Sequence, residues 1–315
     1  MRAIVLAAQG GPEVLEYTER PDPEPGEGEV VVDVAASGVN FLDIYHRSGV
    51  YPLELPATIG SEGAGVVSAI GPGVEDLVVG ETVAWAMSLG SYAEKAVVPA
   101  RLVVPVPEEV APDLAAAAML QGMTAHYLTH STNRVQEGDV VLVHAAAGGM
   151  GQLLVQVCKM LGATVYGTAS TPAKEKLARE AGADEVLSYE NFAEALRGKV
   201  DVVYDGVGAA TFDGGLESLR RRGLMALYGA ASGPVPPVDP MRLNRAGSLY
   251  LTRPTLADYV AERDELLWRA ADLFGWIRSG KLRVNVSQRY PLAEARRAHE
   301  DLAARRTTGK LLLIP

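Results

Sequence analysis

Hydrophobic and polar positions divide the chain into two regions with different patterns. The first 110 residues contain short runs rich in β-branched residues, and turn-rich stretches such as PDPEPGEG (21–28) separate them. Such runs predict β-strands, because branched side chains suit a pleated, half-buried surface. We place these strands at 2–7, 29–35, 65–71, 82–86 and 94–100. The N-terminal region is therefore predicted to be mainly β.

Near residue 112 the pattern changes to alternating strands and helices. An Ala-rich stretch at 113–131 predicts a helix capped by Asp113. Six strand-like runs follow with helical segments between them, at 140–145, 164–168, 185–188, 200–204, 223–229 and 248–252. This alternation is typical of βαβ units on a parallel sheet, and six strands match the doubly wound, Rossmann-type dinucleotide-binding fold.

The last fifty residues predict a return to the first region. A helix is expected at 257–279, a strand near 281–286 and a helix at 292–305, before a final strand, GKLLLIP. We expect this strand to rejoin the N-terminal β region rather than extend the parallel sheet. The predicted domains are a discontinuous one formed by 1–120 and 263–315, and a nucleotide-binding one formed by 121–262.

A glycine-rich turn follows the first strand of the parallel sheet. The strand VVLVHA runs into Ala147, Gly148, Gly149, Met150 and Gly151, and an amphipathic helix begins there. Residues without a Cβ let the backbone approach a pyrophosphate, and the N–H groups at a helix start favour an anion. A structural turn that needs small residues for packing is the alternative.

The second strand of the parallel sheet bears on the choice of cofactor. Sites that select NAD carry a carboxylate at the end of this strand, which binds the ribose 2′-hydroxyl. Here the strand ends without an acid, and Ser170, Lys174 and Tyr189 are available to a 2′-phosphate. We therefore expect NADPH. The alternative is that Lys174 is a solvated helix lysine and Ser170 a helix cap.

Composition narrows the classes of function. Of 315 residues, 29 are Lys or Arg and 39 are Asp or Glu, which gives a formal net charge of −10. An acidic surface repels phosphate backbones, so we do not expect nucleic acid as a partner. The single cysteine, Cys158, excludes a disulfide framework and Cys-based zinc fingers. No apolar run suits a signal peptide or a membrane span, and we expect a soluble, cytoplasmic protein.

Several segments resemble one protein family. They are the glycine-rich run 138–159, SGVNFLDIYHRSGVYP (37–52), GSEGAGVVSAIGPGV (60–74) and LYLTRPTL (249–256). Over essentially all of its length the chain resembles the medium-chain dehydrogenases/reductases, and among them the zinc-free quinone oxidoreductases related to zeta-crystallin. The resemblance implies a Rossmann domain and a mainly β, GroES-like catalytic domain.

The resemblance also bears on metal binding. The zinc alcohol dehydrogenases of this superfamily hold catalytic zinc with a Cys, a His and a second Cys. At the matching positions this chain carries Asn40, Ser61 and Leu120, and the lobe that binds structural zinc is missing between Trp85 and Tyr92. Leucine cannot ligate a metal, and an Asn/Ser pair is a poor zinc site. We expect no metal site.

Without a metal, reduction of quinones or activated double bonds is favoured over alcohol oxidation. The resemblance places the catalytic candidates Asn40, Asp43, Tyr45 and Tyr51 at the cleft. Asn40 can donate to a carbonyl oxygen, and the tyrosines can donate or stack on a flat ring. Asp43 is expected to orient its neighbours rather than act as an acid. Alternatively, the tyrosines are an ordinary half-buried pair at a turn.

Further cofactor contacts are implied by the resemblance. They are Asn40, Thr124, Gly206, Val207, Gly208, Tyr228, Gly229, Ala230, Leu251, Thr252, Arg253 and Lys310. Arg253 has the alternative role of a structural ion pair, since Arg often forms surface pairs.

Together these observations predict a zinc-independent NADPH:quinone oxidoreductase that acts in the interdomain cleft. The nearest alternative is an NADPH-dependent enone or enoyl double-bond reductase, because the site residues do not separate a quinone from a small enone. A non-catalytic NADPH-binding or RNA-binding protein is an alternative of another class. The strand at 248–252 resembles the edge strand that pairs across a two-fold axis in the superfamily, which predicts a homodimer.

Overall fold

The computed structural model describes residues 1–315 and divides into two compact units. Unit 1 comprises Met1–Met123 and Tyr259–Pro315, and unit 2 comprises Thr124–Asp258. Unit 1 therefore consists of two separate stretches of the chain, and unit 2 of one continuous stretch.

The strands fall into three sheets. They are β1 (Arg2–Leu6), β2 (Leu15–Glu19), β3 (Glu29–Val39), β4 (Ala57–Thr58), β5 (Glu62–Ile70), β6 (Thr82–Ala86), β7 (Lys95–Pro99), β8 (Val103–Pro105), β9 (Val140–Val143), β10 (Thr164–Thr168), β11 (Glu185–Leu187), β12 (Val200–Asp205), β13 (Leu219–Leu227), β14 (Tyr250–Thr252), β15 (Val286–Pro291) and β16 (Lys310–Ile314).

Helices occur in both units. They are α1 (Phe41–Ser48), α2 (Pro112–Tyr127), α3 (Gly149–Met160), α4 (Pro172–Glu180), α5 (Phe192–Ala195), α6 (Phe212–Ser218), α7 (Pro240–Arg245), α8 (Leu256–Tyr259), α9 (Arg263–Arg278) and α10 (Ala295–Ala303). None of them is long and apolar enough to span a bilayer.

Unit 2 is a six-stranded parallel sheet with the order β11-β10-β9-β12-β13-β14. The central strand β9 (VVLV) is apolar on both faces, as is typical of a strand inside a parallel sheet. One hydrophobic core of this unit includes Leu142, Val203, Phe212 and Met225. Since every strand is parallel, all the carboxyl ends lie at one edge of the sheet. The predicted Rossmann-type fold is confirmed.

Unit 1 is mainly β. A three-stranded sheet has the order β2-β1-β4, and a larger sheet has the order β15-β16-β3-β5-β6-β8 with β7 paired to β3. The final strand β16 pairs antiparallel with β3, with Leu312 opposite Gly38. The prediction that the last strand rejoins the N-terminal β region is confirmed. One core packs around Ile4, Tyr92 and Tyr290, and a second around Val32 and Trp85.

Several predicted elements differ from the structure. The helix predicted at 113–131 begins at Pro112, so Asp113 lies in its first turn instead of capping it, and a π-helical turn (Leu128–Thr132) follows Tyr127. The strand predicted near 281–286 is wrong: β15 begins only at Val286, because the chain turns at Gly280 with φ +71°. The helix predicted at 257–279 is two helices, α8 and α9. The sequence did not predict strands β2, β4 and β8. Strands β4 and β8 have two and three residues, too short to give an alternating pattern, and β2 (LEYTE) has only one buried residue.

Candidate active site

The glycine turn links β9 to α3. Helix α3 begins at Gly149 after Gly148, and no side chain caps its start. A Cβ on Gly151 would lie 2.3 Å from the carbonyl oxygen of Ala145 and 2.7 Å from the Cα of Ala146. Glycine is therefore required here for the helix to pack against the turn. The N–H groups of an uncapped helix start are orphan donors, and an anion such as a pyrophosphate satisfies them.

The chain after β10 forms the neighbouring part of the same edge. No acidic residue lies between Thr168 and Lys174. Ser170 is exposed, and the cap of α4 is Thr171, whose hydroxyl accepts the N–H of Lys174 at 3.3 Å. The alternative that Ser170 caps this helix is therefore wrong. Ser170 and Lys174 therefore belong to a segment, 169–174, that carries no carboxylate.

A buried histidine connects the glycine turn to Tyr189. His144 directly follows β9, its Nδ1 lies 3.0 Å from Oγ1 of Thr168, and its ring stacks with that of Tyr189 at a centroid distance of 6.4 Å. Its Nε2 has no hydrogen-bond partner. Burial lowers the pKa of His144 to about 4, so the ring is neutral near neutral pH. The sequence analysis missed His144, although its place at the end of β9 could have marked it.

Two further turns at this edge are fixed by Asp205, which is completely buried. Its Oδ1 accepts the N–H groups of Val207 at 2.7 Å and Gly208 at 2.9 Å. A Cβ on Gly206 would lie 2.8 Å from the ring of Tyr228, so the two turns pack tightly together. Because the N–H groups of Val207 and Gly208 are taken by Asp205, any ligand contact of this turn must use other atoms.

Most predicted cofactor residues thus share the carboxyl edge of the unit 2 sheet. They are Ala147, Gly148, Gly149, Met150, Gly151, Ser170, Lys174, Tyr189, Gly206, Val207, Gly208, Tyr228, Gly229, Ala230, Leu251, Thr252 and Arg253. Thr124 lies apart from them in sequence, in α2, with 8% of its surface exposed. Asn40 and Lys310 belong to unit 1.

In unit 1, the predicted catalytic residues lie on α1 and just beside it. Asn40 is the N-cap of α1, and its N–H donates to Oδ2 of Asp43 at 2.8 Å. The N–H of Tyr51 donates to the carbonyl of Tyr45 at 3.1 Å, and the two rings meet edge to face at a centroid distance of 5.3 Å. Both tyrosines are half-buried. One short segment therefore presents a paired aromatic surface.

The amide of Asn40 is held at both ends by buried groups. Its Nδ2 donates to Oε1 of Glu62 at 2.7 Å, and its Oδ1 accepts from Nζ of Lys310 at 2.7 Å and from Gln121 at 3.4 Å. Lys310 and Glu62 also form an ion pair, with side chains that are 1% and 0% exposed. The second Nδ2 hydrogen faces only the carbonyl of Gly38, at 3.5 Å. The sequence analysis did not single out Glu62.

Asp43 ends a chain of buried hydrogen bonds. It accepts from the hydroxyls of Ser61 at 2.8 Å and Tyr92 at 3.1 Å. His299 Nε2 lies 3.1 Å from the Tyr92 oxygen, and Arg47 lies 3.2 Å from His299 Nδ1. Since Arg47 can only donate and Tyr92 donates to Asp43, His299 is neutral with its proton on Nε2. Burial lowers the pKa of His299 to about 3 and raises that of Asp43 to about 6.

Comparison with known proteins matches the chain to two family models and to full-length relatives. Residues 26–108 match the alcohol dehydrogenase GroES-like domain, and residues 181–313 match a family described as zinc-binding dehydrogenase. The quinone oxidoreductase of Pseudomonas aeruginosa is 46% identical over 100% of this chain and 99% of its own. A 2-haloacrylate reductase from a Burkholderia species is 42% identical over 99% and 98%. The Escherichia coli quinone oxidoreductase, solved in complex with NADPH, is 41% identical with a TM-score of 0.98 over 100% of both chains.

The zinc named in the second family description does not fit the residues of this chain. Asn40 and Ser61 offer an amide and a hydroxyl that already bond to Lys310 and Asp43, and Leu120 offers no ligand atom. The ammonium of Lys310 lies within hydrogen-bond distance of Asn40, where it would repel a dication. No group of three or more His, Cys, Asp or Glu side chains is arranged to hold a metal ion. This donor set does not suit zinc.

Proposed function

The chain belongs to the quinone oxidoreductase family of the medium-chain dehydrogenases/reductases, and we propose that it reduces quinones with NADPH. NADPH, when bound, supplies a hydride. The quinone takes that hydride and one proton, so the products are a hydroquinone and NADP⁺. The protein contributes binding, orientation and exclusion of water, as is usual where a cofactor carries the reaction.

The observation that carries this proposal is the uncapped glycine turn beside a second strand that ends without an acid. The N–H groups at the start of α3 would bind the pyrophosphate, and Gly151 allows the close approach. Ser170 and Lys174 would bind the 2′-phosphate, with Tyr189 beside them. The turns at 206–208 and 228–230 and the end of β14 at 251–253, with Thr124, would complete the cofactor site.

On the substrate side, Tyr45 and Tyr51 would hold a flat quinone ring. Their edge-to-face arrangement forms an aromatic surface on which a flat ring could stack. The Asn40 N–H that faces Gly38 at 3.5 Å would donate to a carbonyl oxygen. Asp43 would orient this segment through its bond to the N–H of Asn40.

Reduction of an activated carbon–carbon double bond is the second candidate. The observation that favours it is the 42% identity to a 2-haloacrylate reductase over nearly the whole of both chains. Charge developing on the carbonyl oxygen of an enone would be stabilised by the same donors that serve a quinone oxygen.

The experiment that tests both candidates follows the loss of reduced nicotinamide absorbance with purified, metal-free protein. NADPH and NADH are each offered with a simple para-quinone, a small enone, or no acceptor. We expect rapid oxidation of NADPH, but not NADH, with the quinone. Activity with the enone alone would support double-bond reduction in place of quinone reduction. NADPH binding without turnover would support a non-catalytic protein.

The proposal extends to a homodimer. Strand β14 is one of the two edge strands of the six-stranded sheet, and its first residue, Tyr250, is 62% exposed. Met241 on α7 is also exposed, at 50%. Edge strands are normally covered or paired, and a second copy of β14 would pair this one.

We further propose that the protein works in the cytoplasm. Its one cysteine, Cys158, is buried and unpaired, as is common in reducing compartments. Fractionation of the source cells with an antibody to the chain would test this, and recovery in an extracellular or envelope fraction would contradict it.

A further inference from the structure

We propose that the buried ion pair between Glu62 and Lys310 is the positioning element for helix α1, and acts through the amide of Asn40. The inference rests on the proposed function, because it concerns how the aromatic surface of Tyr45 and Tyr51 is held for the reaction. The resemblance implies a cofactor contact for Lys310, but its side chain is 1% exposed and bonds to Glu62 and Asn40. The inference assigns it a positioning role in place of that contact, and the same role to Glu62.

The geometry ties the start of α1 to three distant parts of the sequence. Lys310 on β16 donates to Oδ1 of Asn40 at 2.7 Å, and Glu62 on β5 accepts from Nδ2 of the same amide at 2.7 Å. The other oxygen of Glu62 accepts the N–H of Leu120 in α2 at 2.7 Å. One carboxylate thus connects the N-cap of α1 to a helix and to the last strand of unit 1.

Helix α1 needs such an anchor. It has 8 residues, fewer than a helix needs to be stable by itself, so its direction depends on tertiary contacts. The amide of Asn40 lies directly before its first turn, and Tyr45 lies in its second. Loss of the bonds to this amide would free the side chain of the N-cap residue, so that the start of α1, Tyr45 and, through the bond between Tyr45 and Tyr51, the aromatic pair would be held less firmly.

Stability alone does not explain the pair. Burying two opposite charges costs about as much in lost hydration as their attraction returns, and apolar residues of similar size often serve a core equally well. The pair does, however, fix hydrogen-bond directions that apolar residues cannot fix. An ammonium at Oδ1 and a carboxylate at Nδ2 permit only one of the two flipped orientations of the Asn40 amide.

The test separates positioning from folding with three variants and one control. Lys310→Met leaves the buried charge of Glu62 without its partner, and Glu62→Gln does the same to Lys310. The double variant removes both charges. The control is Arg269→Met, since Arg269 on α9 is another cation of unit 1 with a completely buried side chain, paired to Glu265. For each protein one measures the thermal midpoint, the Kd for NADPH, and kcat and KM for the quinone.

We expect both single variants to melt earlier and to lose kcat about tenfold or more, within the roughly hundredfold that a ~1 Å displacement can cost. The double variant should recover most of its thermal midpoint but not its kcat, because the two substituted side chains no longer fix the Asn40 amide. The Kd for NADPH should stay within about twofold of wild type. The control should melt earlier with kcat unchanged.

Three results would overturn the inference. In the first, the kcat of the double variant returns together with its thermal midpoint, which would make the pair purely structural. In the second, the Kd for NADPH rises in Lys310→Met while kcat at saturation does not change, which would make Lys310 a cofactor contact. In the third, wild-type protein is inactive with every acceptor, and the proposed function fails with the inference. Failure of the proposed function is seen in the wild type, whereas failure of the inference alone is seen only in the variants, so the two failures are distinguishable.

Discussion

The hydroxyl of Tyr92 donates to Asp43 at 3.1 Å, and neither side chain is exposed to solvent. With Ser61 and the N–H of Asn40, Tyr92 gives the carboxylate of Asp43 three hydrogen-bond donors. Burial nevertheless raises the pKa of Asp43 from 3.8 to about 6. The cost of removing this charge from water is therefore larger than the stabilisation that the donors return.

Asp43 should make stability depend on pH between about 4 and 7. Because its pKa is higher in the folded than in the unfolded chain, its contribution is fully present below pH 3.8 and is lost as pH rises through about 6. In Asp43→Asn this loss should disappear, so the difference in unfolding free energy between variant and wild type changes across that range. Urea unfolding at a series of pH values measures it, and a constant difference would contradict the assignment.

His299 should give a dependence of the opposite sign. Its folded pKa, about 3, lies below the ordinary value of 6.5, so its contribution is present above pH 6.5 and is lost as pH falls toward 3. We expect wild-type protein to lose stability over this range more steeply than His299→Gln does. The variant should still lose some stability in acid, because His144 in unit 2 also has a lowered pKa, about 4. Equal slopes in acid would show that His299 does not titrate on unfolding.

Gly151→Ala should damage cofactor binding. The added Cβ meets backbone atoms at 2.3 and 2.7 Å, which cannot move without displacing the start of α3. We expect a loss of about 2 kcal/mol in unfolding free energy and a clear rise in the Kd for NADPH. The matched control is Gly275→Ala in α9, where nothing lies within 4 Å of the new Cβ. It should stabilise by about 0.5–1 kcal/mol, and equal NADPH affinity in both variants would refute the assignment of the turn.

Lys174→Glu should reduce the preference for NADPH over NADH. An acid in the first turn of α4 would repel a 2′-phosphate, and we expect NADPH affinity to fall by about tenfold or more with little change for NADH. Lys176→Glu is the control, since Lys176 lies on the same helix with its side chain 77% exposed. Fluorescence titration of both cofactors measures the effect. A similar loss of NADPH affinity in Lys176→Glu would show that the effect comes from the net charge of the surface and not from a contact of Lys174.

Tyr250→Asp should weaken the proposed dimer. A charge on the free edge of β14 would be buried without a partner when two copies pair, which opposes association. Gel filtration with light scattering should show a dimer for wild type and a shift toward monomer for the variant. Val66→Asp is a control on a different sheet, at a residue that is 38% exposed. A wild-type protein that is monomeric at all concentrations tested would contradict the proposed dimer.

The parts of this molecule that the sequence could predict are those set by local pattern. The βαβ alternation predicted the six strands of the parallel sheet, and the glycines at the end of β9 marked the start of α3, because both depend on neighbouring residues. The early end of α2 at Tyr127 and the late start of β15 at Val286 could not be predicted in this way. The first depends on the change to π-helical hydrogen bonding over Leu128–Thr132, and the second on the turn at Gly280.

The buried polar network of unit 1 was beyond sequence reasoning for a different reason. Lys310 and Glu62 are 248 positions apart, and His299 and Tyr92 are 207 apart, so no spacing or motif relates them. A lone Glu within the strand-like run GSEGAGVV gives no sign that it is completely buried. Only the pairing of β16 with β3 brings Lys310 to Asn40.

The position of β16 also sets the order in which the protein can be completed as it is made. Unit 2 is one continuous stretch, and every residue it needs has been synthesised by Asp258. Unit 1 holds β3 and Asn40 near its beginning but lacks the strand and the ammonium that fix them until Lys310–Ile314 has left the ribosome. The nucleotide-binding unit can therefore fold first, while the segment that carries the proposed catalytic residues waits for β16.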